Sequence, residues 1–176
     1  IQAKRHNILV ANPSSDGFVD WSPDGKSILY ATDLNDSTSN YYLNSHFFRI
    51  NLDGSANKEL AKEFDEYISR LQWNNAGIFG VAWQKTKQSI IRINTTNGKT
   101  TIIANNVQRT WDLSFSKDAK QIAYTGLDDN NLTEIYKNAY PLKTAKKITN
   151  SSSQISGWLT AKSEVISWKS EDGAII

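Results

Sequence analysis

Cysteine is absent from this chain of 176 residues, which excludes disulfides, thiolate catalysis and cysteine-rich zinc sites together. It leaves the compartment open, with the periplasm or the cell exterior marginally preferred to the cytoplasm. Methionine is absent too, and the chain opens on Ile1, so the sequence is expected to be part of something longer. No apolar run reaches the roughly 18 residues of a membrane span, and no signal-peptide pattern is present. The 20 basic and 18 acidic side chains are dispersed rather than gathered into blocks, which argues against nucleic-acid binding. Only two histidines, His6 and His46, are present, and no G-x-S-x-G nucleophile elbow occurs. A serine triad needs a serine, a histidine base and an orienting carboxylate, so no catalytic residue is assigned here. His46 opens an alternating strand and is read as structural; His6 lies in a polar, basic opening and is read as solvated.

What the sequence does contain is a repeat. In "FVDWSPDGKSILYAT" (18–32) an apolar strand ends at Trp21, meets Ser22-Pro23-Asp24-Gly25 and leads into Ile28, Leu29 and Tyr30. Proline presets φ in such a turn and glycine supplies a positive φ at its end, which makes a hairpin. The same grammar returns in "LSFSKDAKQIAYTG" (113–126), with Phe115 in the place of Trp21 and Tyr124 in the place of Tyr30. "ISRLQWNNAGIFGVAW" (68–83) supplies Trp73 and an Asn-Asn-Ala-Gly turn, and a fainter copy, "ISGWLTAKSEVISW" (155–168), supplies Trp158.

Each of the first three hairpins is followed by a second one. Alternating strands flank Asp53-Gly54 in 46–60 and Asn97-Gly98 in 89–104, both strong hairpin signals, and Tyr140-Pro141 marks the turn in 133–149. Four antiparallel strands per unit of about 45 residues is the signature of a propeller blade. The expected fold is therefore all-β, a partial β-propeller of about three and a half four-stranded antiparallel blades. Residues 1–17 would end a preceding blade, 18–62, 63–106 and 107–150 would be blades, and 151–176 would hold the last strands and an exit segment. A sandwich also shows short strands at regular spacing, but it has no reason to repeat an aromatic–turn–aromatic unit. "NKELAKEFDEY" (57–67) is the one stretch that reads as helix, bridging two blades.

Few residues invite a chemical role. "DLNDSTSN" (33–40) offers Asp33, Asn35 and Asp36 as oxygen ligands but lacks the central glycine and bidentate glutamate of a calcium loop. It is read as a polar loop, and Asp128-Asp129-Asn130-Asn131 as a turn. Trp21, Trp73, Tyr30, Tyr124 and Trp83 could form a stacking platform for a ligand, yet their recurrence at one place in each repeat points to packing between blades. Arg70, in "DEYISRLQW", is read by default as surface charge, although an arginine beside such a strand can point into a central channel. No metal-binding or cofactor-binding residue is assigned, and no cofactor is expected.

"WSPDGKSILY" (21–30) resembles the blade motif of TolB-like propellers and of the propeller domain of the prolyl oligopeptidase family of serine peptidases. "DEYISRLQW" is similar to a blade start in the dipeptidyl-peptidase branch of that family. "FSKDAKQIAYTGLDDNNLTEIY", then "KKITN", then "EVISWKSEDG" resemble the last blade and exit strand of the acylaminoacyl-peptidase branch. Glu164, Trp168, Lys169, Ser170, Asp172, Gly173 and Ile176 fall on the exit motif of that branch.

The resemblance implies a non-catalytic propeller that caps an α/β-hydrolase domain, whose triad would lie beyond Ile176, and restricts substrates to short peptides. It implies as partners that hydrolase domain and a peptide substrate. The family carries seven or eight blades, so a partial ring could also pair with a second copy as a homodimer. The alternative is that the tail forms the second and third strands of one more blade, which would suit a TolB-like binding or sensory module without catalysis.

Overall fold

The repeated turn explains itself atom by atom in the computed structural model, which describes residues 6–34, 44–103, 107–141 and 144–176. Ser22 Oγ donates to Asp24 Oδ1 at 2.6 Å, and the same oxygen accepts from Lys26 N at 3.1 Å. Ser27 N donates to Ser22 Oγ at 2.8 Å and Ser22 N to Ser27 O at 2.9 Å, closing the hairpin. Ser116, Asp118, Lys120 and Gln121 reproduce all four bonds. The carboxyls of Asp24 and Asp118 are held below the usual carboxylate range, first by the serine hydroxyl and then by the backbone N–H. Gly25 takes φ 67° at the corner, and Ala119 is forced to 56° at the equivalent place, a conformation that strains any residue with a Cβ.

The described residues form twelve strands. The first sheet holds β1 (Asp16–Trp21), β2 (Ser27–Thr32), β3 (His46–Asn51) and β4 (Lys58–Leu60). The second holds β5 (Ile68–Asn74), β6 (Gly77–Gln84), β7 (Lys87–Ile93) and β8 (Thr100–Ile103). The third holds β9 (Leu113–Phe115), β10 (Gln121–Gly126), β11 (Glu134–Ala139) and β12 (Lys146–Lys147). Within each sheet the strands lie in chain order and pair antiparallel. These are three blades of a propeller; β1 and β5 make the most extensive contact between sheets, and Gln72 of β5 reaches Leu113 of β9, so the first strands of the blades form the inner side.

Period-two alternation splits each blade into two working faces. On β6, Ile78 and Ala82 join Leu29, Phe47 and Leu60 in the seam between blades one and two. Phe79 and Val81, pointing the other way, join Leu113, Ile122 and Tyr124 in the seam between blades two and three. Polar bonds stitch the seams as well: Trp73 N donates to Asp20 Oδ2 at 2.7 Å, Ala61 N to Gly98 O at 2.8 Å, and Gln72 Nε2 to Leu113 O.

Four expectations need correction. Lys58–Leu60, read as helix, is the outer strand of blade one, because Leu60 and Glu59 pair with Phe47 and Phe48 of β3; residues 61–67 are turns and irregular backbone. Trp21, read as packed between blades, is half exposed. Trp73 and Phe115 each rest on the sheet before their own, whereas no sheet among the described residues precedes β1. Trp83 is half-buried at the end of β6 and belongs to neither seam. Trp158 is 72% exposed, and 156–167 forms no strand, so the fainter fourth copy is not a hairpin.

Replacing Trp73 with alanine should therefore cost about 3 kcal/mol, the low end for a buried aromatic because its ring is only partly covered. Trp21→Ala should cost no more than about 1 kcal/mol. Chemical denaturation of both variants checks this, and equal losses would contradict the assignment of Trp73 to a seam.

Candidate functional site

Neither histidine is arranged for nucleophilic catalysis. His46 Nδ1 lies 2.7 Å from Glu59 Oε1, a cross-strand pair on blade one, and among the described residues no serine hydroxyl bonds to its ring. His6 is exposed. Asp33 accepts from Ser45 Oγ at 3.3 Å, while Asn35 and Asp36 lie outside the described residues. Among the described residues no group of three His, Asp or Glu side chains is placed to hold a metal.

The inner rim is different. Aligning Trp21, Trp73 and Phe115 brings Phe18, Arg70 and Asp112, each three residues earlier, to one position on successive blades. In β1 and β5 this position belongs to a bulge, between Phe18 and Asp20 and between Ser69 and Gln72. Bulges re-aim side chains beside functional sites. Arg70 carries φ 55°, and among the described non-glycine residues with positive φ it alone lies inside a strand. Its Nε sits 3.8 Å from Asp112 Oδ1, with both side chains about two-thirds exposed. Such a pair contributes at most about 1 kcal/mol to folding, so its chemistry is available for binding. The sequence singled out Arg70 only as a residue whose default reading was surface charge; Asp112 becomes its partner only once the blades stand side by side.

The second feature is the segment that leaves blade three. Glu134 is fully buried and its carboxylate accepts Thr149 Oγ1 at 2.5 Å, Ser151 N at 3.0 Å, Ser152 N at 2.8 Å and Ser152 Oγ at 2.6 Å. Lys147 Nζ stands 3.7 Å away. Bonds from the Ser152 and Thr149 hydroxyls, with the backbone N–H groups, pull the Glu134 pKa down to about 2. A 3-10 helix, Ser151–Ile155, is thereby fastened to the start of β11. Farther on, Thr160 Oγ1 donates to Asn130 Oδ1 at 2.6 Å, and Ser163 bonds to the carboxyl of Asp129.

The chain then forms a small hairpin. Trp168 and Ile176 exchange backbone bonds of 3.2 and 2.9 Å, and Ser170 N donates to Ala174 O at 2.9 Å. Asp172 accepts Ser170 Oγ and Ala174 N, the blade-turn chemistry used once more. Trp158, Leu159, Val165, Ile166, Trp168, Ile175 and Ile176 are all more than half exposed along this segment. The sequence singles out residues 164–176 but not Glu134. Its signal was a lone carboxylate on the same strand face as Tyr136 and Asn138.

No family model matches the chain, and no curated protein matches it. Solved structures do. Acylaminoacyl peptidase from Pyrococcus horikoshii is 14% identical, with a TM-score of 0.68 over 89% of this chain and 23% of that one. The β-propeller domain of the Trilobed protease from Pyrococcus furiosus, described as having an open velcro topology, is 13% identical, with a TM-score of 0.65 over 90% and 44%. TolB from Acinetobacter baumannii is 16% identical, with a TM-score of 0.58 over 81% and 34%. The chain thus spans less than half the length of each. At these identities the likeness establishes the fold: three blades of the propeller type found in TolB and in peptidases of the prolyl oligopeptidase and acylaminoacyl-peptidase kind.

Proposed function

We propose that this chain is the non-catalytic propeller part of a prolyl-oligopeptidase-type serine peptidase. In this reading it caps the active site of an α/β-hydrolase domain and limits substrates to short peptides. The observation that carries it is the exit segment, which is latched by Glu134 and then forms a hairpin of its own instead of adding a strand to the three sheets. Its exposed tryptophans and isoleucines are the kind of surface that a neighbouring unit covers. Sorting by size requires a rigid passage and no reactive group. Phe18, Arg70 and Asp112 would give that passage one aromatic and two charged contacts for a peptide.

The test is a fluorophosphonate probe applied to this chain and to the full-length protein. No serine of residues 1–176 should be labelled, and one serine in a downstream G-x-S-x-G should be. Stoichiometric labelling of a serine within this chain would sink the non-catalytic assignment. A reading frame that continues into further blades or stops would instead favour the second reading, a TolB-like module that binds a protein partner, to which the shared fold with TolB lends support.

A further inference from the structure

Between blades one and two, on the side of the β1–β2 and β3–β4 turns, lies a groove of about 760 Å³. Two of the residues that line it carry a side-chain donor buried without a partner: Arg49 Nε and Asn74 Nδ2. More than nine in ten buried polar groups are hydrogen-bonded, so two orphans bordering one cavity call for an explanation. An amide flip does not supply it, because Asn74 Oδ1 already accepts Ala76 N at 2.8 Å and a flip would set two donors against each other.

The same groove holds a seated arginine. Arg92 Nε donates to Ala76 O at 3.0 Å, lying where a Cβ on Gly77 would come within 2.9 Å of it. Gly77 also takes φ 135°, so the backbone there calls for glycine. Lys26 adds a third cation to the lining. Asp24 and Asp53 border the groove as well, but each commits an oxygen to its own turn, to Ser22 and Lys26 N and to Ser55 respectively. Trp73 and Pro23 supply apolar wall. The unmet groups are all donors and two of the lining side chains are guanidinium groups, the donor set that recognises carboxylate and phosphate.

We propose that the groove between blades one and two is an oxyanion-binding site, in which Arg49, Asn74 and Arg92 receive a carboxylate or a phosphate. It is separate from the inner rim and does not depend on whether a hydrolase domain follows. The experiment follows the arginine Nε–H resonances of the isotopically labelled chain during titration with three probes. These are an N-acetylated dipeptide with a free carboxylate, the same dipeptide amidated, and inorganic phosphate, each at constant ionic strength made up with chloride.

The Arg49 and Arg92 signals should move saturably, while those of Arg70 and Arg109, which lie outside the groove, stay in place. Response to the free acid but not the amide identifies a carboxylate ligand, and response to phosphate identifies that source. Asn74→Asp keeps the acceptor for Ala76 N and turns the orphan donor into an anion. It should leave the circular dichroism unchanged and weaken binding at least about tenfold, as losing one hydrogen bond to a charged group does. Absence of a saturable shift at Arg49 with both anions, an equal shift with chloride alone, or undiminished binding by Asn74→Asp would each overturn the site.

Discussion

Phe79→Ala is expected to lower the unfolding free energy by about 3–5 kcal/mol, the range for truncating a fully buried aromatic. Phe79 is 0% exposed. Its ring lies 4.5 Å from that of Phe115 and 5.1 Å from that of Tyr140, the latter edge-on. Two effects add: the transfer of the lost ring surface, and a cavity that β-sheet walls cannot close by collapsing. Aromatic pairs contribute about 0.5–1.5 kcal/mol each beyond area, and both pairs would go at once. Small domains are stable by only about 5–15 kcal/mol, so the variant should show a large fall in denaturation midpoint. Phe79→Leu, which keeps most of the apolar volume, should cost less. An unfolding free energy for Phe79→Ala within about 0.5 kcal/mol of the parent, the usual effect of a surface change, would mean that the seam between blades two and three is not built on this ring.

The second large effect is expected in acid. Glu134 has a folded pKa of about 2 against an ordinary 4.5, so the fold favours the deprotonated form. The sign follows from linkage: the latch contributes fully above about pH 4.5 and is lost progressively as pH falls toward 2. Protonation removes acceptor capacity facing two backbone N–H groups and two hydroxyls, and it ends the attraction to Lys147. Glu134→Gln mimics that state at neutral pH, with an NH₂ group set against donors.

The amides of Ser151 and Ser152 should then exchange with solvent much faster, and a protease should cut the chain after β12 at pH 7. This variant should also lack the part of the acid destabilisation that falls between pH 4.5 and 2. If Glu134→Gln kept both the protection of Ser151 and Ser152 and the parent's pH profile, the carboxylate would not be what fastens the exit segment. Because the proposed function leans on that segment, the same experiment bears on how firmly a propeller could be coupled to a neighbouring domain.

The hairpins and their turns could be read directly from the residues, since every bond in the Ser22–Ser27 and Ser116–Gln121 turns joins groups no more than five positions apart. Their recurrence with an aromatic at a set distance was enough to name the blade. The reading of 57–67 as helix failed because local propensity favours it, while the pairing of Leu60 with Phe47 lies 13 residues away along the chain.

Other outcomes rest on still longer distances. Trp21 and Trp73 occupy the same place in the repeat, yet among the described residues only the second has a sheet to rest on. Glu134 becomes a latch only when residues 15 to 18 positions later fold back onto it. Arg49, Asn74 and Arg92 meet along one groove from two different blades.

Alternation and turn chemistry are properties of neighbours in sequence, and so the sequence by itself determined strands, hairpins and the propeller repeat. Burial, a depressed carboxyl and a shared groove are properties of which blade faces which. Those were decided only by the tertiary structure, because the free energy of covering a side chain depends on the surface opposite it rather than on the residues beside it.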